Sequence, residues 1–161
     1  MNFSSPTLQQ ALLTKSFLGQ HRGYTTITCG YGYRKAPASG ASTYHAAIDI
    51  GAPANSKIIA SFSGEISYTG FYGANGYTIM LKNANVVAMY SHLSPNFIVK
   101  KGEKVSKNQV IGKVGPKNVY GVPNNPYKDS NGNPTNGATT GPHLHFAIII
   151  DGKRVNPLDY V

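Results

Sequence analysis

His143-Leu144-His145-Phe146-Ala147-Ile148-Ile149-Ile150 is the stretch on which the reading of this chain turns. Successive side chains of an extended segment point to opposite faces. Leu144, Phe146, Ile148 and Ile150 therefore fall on one face, toward a core, and His143, His145 and Ala147 share the other. Two imidazoles at i and i+2 lie about 6–7 Å apart at their Cα atoms, near enough to converge on one metal ion. A pair of surface histidines on a sheet has the same spelling, so the surroundings must decide.

Outward from this segment, glycine-punctuated runs rich in Val, Ile and Tyr predict further strands at 25–29, 57–62, 64–69, 77–82, 86–91 and 109–114. Asn83-Ala84-Asn85 reads as a tight hairpin turn and Lys101-Gly102-Glu103 as another. The class is all-β, and 161 residues suit one domain rather than two. Ser4-Ser5-Pro6, followed by Leu8, Leu12, Leu13 and Phe17, predicts a short capped helix. Residues 1–22 are taken as a helical appendage or linker and 23–161 as the domain. Residues 115–141 break the pattern, with four Pro and, from Asn124 to Asn136, five Asn. So long a connection is either functional or disordered. Asp129-Ser130-Asn131-Gly132-Asn133 resembles a calcium loop, but no bidentate Glu follows and the glycine is misplaced.

The formal charge is +9, with six carboxylates in all. That balance favours polyanionic partners such as nucleic acid, anionic lipid or an acidic cell wall. The basic residues are scattered, densest at Lys100, Lys101, Lys104 and Lys107. No run of about 18 apolar residues occurs, so membrane insertion is not expected. The apolar stretch 8–18 is interrupted by Gln9, Gln10, Thr14 and Lys15 and does not read as a secretory signal. A single cysteine, Cys29, excludes an internal disulfide and any cysteine-based zinc cluster. A cysteine hydrolase is the rival it permits, but between Thr28 and Gly30 in a strand it reads as a small buried residue.

Four of the five histidines, His45, His92, His143 and His145, stand in strand-like contexts; His21 lies in the appendage beside Arg22. His45 and Asp49 on a straight strand would be about 13 Å apart, too far to share an ion. A bend at Ala46-Ala47-Ile48 brings them together. Imidazole, carboxylate and imidazole with an open fourth position is the recipe for a catalytic zinc site. No H-E-x-x-H occurs, and Glu65 and Glu103 lie in or beside turns, so proton handling falls to histidines. Those are His92 and one of His143 and His145; spacing alone does not choose between the last two.

An ordered set of motifs then resembles the lysostaphin-type (LytM-like) zinc metalloendopeptidases, which cleave peptidoglycan peptides. The set comprises Gly30-Tyr31-Gly32-Tyr33-Arg34, His45-x-x-x-Asp49, Ala60-Ser61-Phe62-Ser63-Gly64, Tyr90-Ser91-His92-Leu93-Ser94, Gln109-Val110-Ile111-Gly112, Thr140-Gly141-Pro142-His143-Leu144-His145-Phe146 and Asn156-Pro157. The resemblance implies a twisted antiparallel sheet flooring a groove walled by loops. It implies Zn2+ held by His45, Asp49 and His145, with His92 and His143 as catalytic histidines. The substrate implied is bacterial peptidoglycan, cut at peptide crosslinks or crossbridges, by a monomer that acts outside the cell or in the wall. A bacterial or phage origin and further domains of a longer lysin fit equally; a nucleic-acid partner is not expected. A non-catalytic wall-binding or regulatory relative is the alternative. Ala47 and Ala147 replace the family's usual Gly and acidic residue. Within 115–141, Lys117, Tyr120, Asn124, Asn125 and Tyr127 are the expected substrate contacts, and 119–136 is expected to be removable without loss of the fold.

Overall fold

The structure, a computed structural model, describes residues 26–160; the helix expected within 1–22, and His21, lie outside them. The strands are β1 (Ile27–Cys29), β2 (Gly32–Tyr33), β3 (Tyr44–His45), β4 (Ile48–Ile50), β5 (Lys57–Ile59), β6 (Gly64–Phe71), β7 (Tyr77–Asn83), β8 (Val86–Ser91), β9 (Lys104–Val105), β10 (Val110–Lys113), β11 (Leu144–Ile150) and β12 (Lys153–Val155). An antiparallel eight-stranded sheet runs β1-β4-β11-β8-β7-β6-β9, with β12 pairing β11. β5 and β10 form a separate antiparallel pair, as do β2 and β3. The all-β reading holds.

The alternation expected of 143–150 is what builds the core. Leu144, Phe146, Ile148 and Ile150 are buried with Ile48 and Ile50 of β4 and Ala88 and Tyr90 of β8, against Ile58 of β5 and Ile111 of β10. Burying a side chain of this size contributes about 1.5–3 kcal/mol, so this face supplies much of the drive to fold. Tyr90 is fully buried, and its hydroxyl meets the Ser61 backbone N–H at 2.9 Å and the Ser61 hydroxyl at 2.8 Å. Its ring stands edge-on to Phe146, centroids 5.2 Å apart. On the other face Ala47, Met89 and Ala147 make a smaller buried patch with Met80.

β11 carries β4 beside its first residues, His145 facing Asp49, and β12 beside its last, Ile150 facing Lys153. Between β3 and β4 the chain bends at Ala46-Ala47, where the small residues permit it. The turn at Ala84-Asn85 joins β7 to β8, with Asn83 paired to Val86. The strands outside the ranges expected from sequence, β2, β3, β4, β9 and β12, are two or three residues long and too short to display a period.

Residues 115–141 form an ordered loop rather than a disordered insertion. Asn118 bridges to Thr135 and Lys128 to Pro134. Val119, Thr135 and Asn136 are buried, so removal of 119–136 would take packed side chains with it, which argues against the expectation that the fold tolerates it. The Asp129 carboxylate is taken up within the loop: one oxygen accepts from the N–H groups of Asn131 and Asn133, and the other meets Asn118 and Lys117.

Candidate metal centre

Sheet register sets the first part of the site. Cys29 of β1 pairs with Asp49 of β4, Asp49 with His145 of β11, and His145 with Ser91 of β8. Their neighbours in sequence, Ile48, Ile50, Leu144, Phe146 and Tyr90, point into the core, so this row points to the opposite face. The bend after β3 swings His45 over the same face. His45 Nε2 lies 3.2 Å from Asp49 Oδ1 and 3.2 Å from His145 Nδ1, and His145 Nδ1 lies 2.9 Å from Asp49 Oδ1.

Three electron-pair donors thus converge within 3.2 Å of one another. His45 gives its other ring nitrogen, Nδ1, to the Gly30 carbonyl at 2.8 Å, which leaves the Nε2 lone pair facing the point of convergence. Burial pushes the His145 pKa below its ordinary value, favouring the neutral ring. Burial alone raises the Asp49 pKa, but its contacts with His145 and His45 and the charge on His143 hold the carboxyl well below the usual range. Three such atoms at this spacing are held together either by protons on the ring nitrogens or by a metal cation between them. A tetrahedral zinc with bonds of about 2.0–2.1 Å sets its ligands about 3.3 Å apart, so the donor set fits that ion.

Two more histidines complete the cluster. Ring nitrogens of His92, His143 and His145 lie within 4.8 Å of one another. His92 follows β8 with φ 59°, a left-handed conformation uncommon for any residue but glycine, which turns its side chain toward the site. Its Nδ1 donates to the Asn136 carbonyl at 2.7 Å, and His143 Nδ1 to the Gly141 carbonyl at 2.9 Å. Each ring therefore keeps Nε2 free to accept a proton. His143 Nε2 lies 3.6 Å from Asp49 Oδ1. Burial first, and then the nearness of two further imidazoles at His143 and His145, push the His92 pKa down to about 3, so its ring is neutral.

All five residues singled out in the sequence, His45, Asp49, His92, His143 and His145, line one groove of about 560 Å³. None of the five expected loop contacts lines it. The loop contributes Ala138, Thr139, Thr140 and Gly141 instead, while Lys117 pairs with Asp129 and Asn125 is bonded to the Thr135 carbonyl. Tyr127 lies against Gly40, whose φ is +82°; a Cβ there would come 2.8 Å from its ring.

Three further residues were not assigned from sequence. Arg34 reaches Asp49 Oδ2 at 3.4 Å, the oxygen not facing the histidines, and its only signal was the Gly-aromatic-Arg pattern. Asn136 holds His92 through its backbone carbonyl. Its buried side chain accepts from the Tyr77 N–H at 2.9 Å and donates to the Leu93 and Pro116 carbonyls at 2.9 and 3.3 Å. Cys29 corrects an expectation: it is half-buried, lines the groove and meets Arg34 through Sγ at 3.2 Å.

Residues 43–157 match peptidase family M23. The chain is 35% identical over 136 residues to the DD-carboxypeptidase/endopeptidase Mpg of Neisseria meningitidis, covering 84% of this chain and 27% of that protein. It is 26% identical over 147 residues to the peptidoglycan DD-endopeptidase ShyC of Vibrio cholerae, covering 90% of this chain and 29% of that one. The chain thus spans between a quarter and a third of these relatives' length. Among solved structures, the catalytic domain of the antimicrobial peptidase lysostaphin from Staphylococcus simulans superposes with a TM-score of 0.69 at 23% identity. That match covers 89% of this chain and 96% of the domain, and it bears on the fold alone.

Proposed function

Because the chain belongs to peptidase family M23, we propose that it is a zinc-dependent endopeptidase that hydrolyses peptide crosslinks or crossbridges of bacterial peptidoglycan. His45, Asp49 and His145 are the metal ligands in this reading, and His92 and His143 handle protons. The observation that carries it is the mutual approach, within 3.2 Å, of His45 Nε2, Asp49 Oδ1 and His145 Nδ1, three atoms of the types that ligate zinc. The name of ShyC supports peptidoglycan as the substrate, and the names of both relatives favour bonds of the D,D type. No helix among the described residues is long and apolar enough to cross a membrane. We place the site of action in the cell wall or periplasm.

When bound, zinc supplies Lewis acidity that polarises a carbonyl and lowers the pKa of water. The chain's own residues do the rest. His92 and His143, each with Nδ1–H tied to a backbone carbonyl, present Nε2 as a base toward the attacking water. The ring that gains the proton becomes the acid that delivers it to the leaving amine. The ring then returns to its starting state. Arg34 on Asp49 Oδ2 fixes the carboxylate so that Oδ1 faces the histidines.

Metal analysis and digestion of purified peptidoglycan test this together. His45→Ala and Asp49→Ala should lose stoichiometric zinc. His92→Ala and His143→Ala should keep it and lose about 10²–10⁴-fold in cleavage, the usual worth of a positioned proton carrier. Full zinc in the first pair, or near-full activity in either of the second, overturns the assignment.

A further inference from the structure

The groove is lined by two guanidinium groups, from Arg34 and Arg154, and they differ in how they are occupied. Arg34 is paired with Asp49 and also meets Cys29 Sγ. Arg154, on β12, has no carboxylate within ion-pair distance among the described residues. Among the described residues its side-chain hydrogen bonds go to the Ala46 carbonyl, at 3.4 Å, and Met89 Sδ, at 3.8 Å. Its backbone is fixed from two sides, by pairing with Ile149 of β11 and by the Tyr31 hydroxyl donating to its carbonyl at 3.3 Å. Ala46 follows His45 directly, so the guanidinium sits beside the bend that carries a proposed metal ligand. Arg154 is exposed at the groove's lining, and a neutral carbonyl and a thioether leave most of its five N–H donors without a partner among the described residues.

We propose that Arg154 is a carboxylate subsite, which binds a free carboxylate of the peptide close to the bond that is cut. The proposal rests on the peptidase reading above and names a substrate feature for the same groove. Carboxylate is the group that a planar guanidinium fork grips in two parallel hydrogen bonds. The groove's own carboxylate, Asp49, is taken up by Arg34 and the histidines, so it does not compete. The carboxylate comes either from a chain terminus or from a side chain. Either source puts a negative charge on the substrate next to a chain of formal charge +9.

The test uses three synthetic peptides of one sequence: one wholly amidated, one with a free side-chain carboxylate and one with a free C-terminal carboxylate. For the full chain loaded with zinc, kcat/KM is measured for the unaltered protein, Arg154→Ala and Arg154→Lys. Zinc content and Tm serve as controls for folding. Arg154→Ala should lower kcat/KM about 10–100-fold, the worth of a charged hydrogen-bonded pair, on the peptide that carries the right carboxylate. The effect should fall on KM and change the amidated peptide by less than about threefold. Arg154→Lys should recover part of the loss, since it restores the charge but not the fork. The carboxylate peptide that responds identifies the source. Equal losses on all three peptides, or no loss on any, overturn the proposal. Binding of the same peptides to metal-stripped protein, followed by calorimetry, separates the two readings. Arg154-dependent binding without cleavage by the zinc form upholds the subsite and overturns the peptidase reading; cleavage indifferent to Arg154 does the reverse.

Discussion

Replacing Asn136 with Ala should weaken the fold and activity together while leaving the metal in place. The side chain is fully buried and satisfies the Tyr77 N–H and the Leu93 carbonyl, each at 2.9 Å; its third contact, the Pro116 carbonyl at 3.3 Å, is on an exposed residue. Gly76 and Gly115 pack so tightly on Asn136 that a Cβ at either would collide with it. Each buried group left without a partner costs about 1–3 kcal/mol, so two cost about 2–6 kcal/mol. At the middle of both ranges the cost is about 4 kcal/mol against a typical domain stability of about 10 kcal/mol, which leaves the protein folded at 25 °C. At about 2–4 °C per kcal/mol for a chain of this size, Tm should fall by about 8–16 °C at the middle of that range. The backbone carbonyl that holds His92 survives the substitution but loses its anchor, so turnover at 20 °C should drop at least about tenfold, with up to 10²–10⁴-fold as the ceiling. Thermal melts, zinc content and release of peptidoglycan fragments measure the three quantities. The isosteric Asn136→Asp adds a sign. Its carboxyl would face the two carbonyls, so its folded pKa rises above the unfolded value of about 3.9. The protonated form then donates its one O–H to one of the two carbonyls. Stability is retained below the unfolded pKa and lost as pH rises through the folded one, so the Tm deficit should be larger at pH 7 than at pH 4. A Tm within about 1 °C of the unaltered protein for Asn136→Ala, with full turnover, would refute the reasoning.

Arg34→Ala should weaken zinc binding by about 10–100-fold, the usual cost of removing a partner of a ligating carboxylate, without unfolding the sheet. Competition with a chromogenic chelator measures it, and an affinity within twofold of normal counts against the Arg34–Asp49 pair having this role. Asp129→Ala should speed hydrogen exchange across residues 117–135 at neutral pH, because Asn118, burial opposing, and then the Asn133 and Asn131 N–H groups hold its pKa at about 2. A depressed carboxyl contributes fully above its unfolded value of about 3.9 and loses its contribution as pH falls toward 2, so variant and unaltered protein should converge there. Equal exchange at pH 7 would show that the carboxylate does not order the loop.

What the sequence displayed and what it hid divide along physical lines. The period-two face of residues 143–150 placed His145 and the core side chains, because alternation is a local property of any extended chain. The bend joining His45 to Asp49 was legible in the small Ala46-Ala47 pair. Cys29 was misread because its exposure depends on which strand β1 joins; its register with Asp49 directs it to the groove. Asn136 was taken for loop polarity, since an amide serving backbone groups from Tyr77 to Pro116 looks like any other Asn in a Pro- and Asn-rich stretch. The φ of 59° at His92 has no spelling at all when the residue is not glycine.

The two halves of the site stand on different supports, and that difference has consequences. Asp49 and His145 are fixed by sheet register, in the middle of a β1-β4-β11-β8 array whose opposite face is the main core. Displacing either requires breaking that array. His92 and His143 are oriented instead by carbonyls of the loop, at Asn136 and Gly141. Their rings turn with the loop, even though their backbones flank the sheet at the end of β8 and the start of β11. Loosening the loop at Asn136 or Asp129 should therefore act on proton transfer before it acts on metal affinity, whereas changes at Arg34 act in the opposite order. Substitutions inside 115–141 are consequently the ones that can separate a folded, metal-loaded protein from an active one.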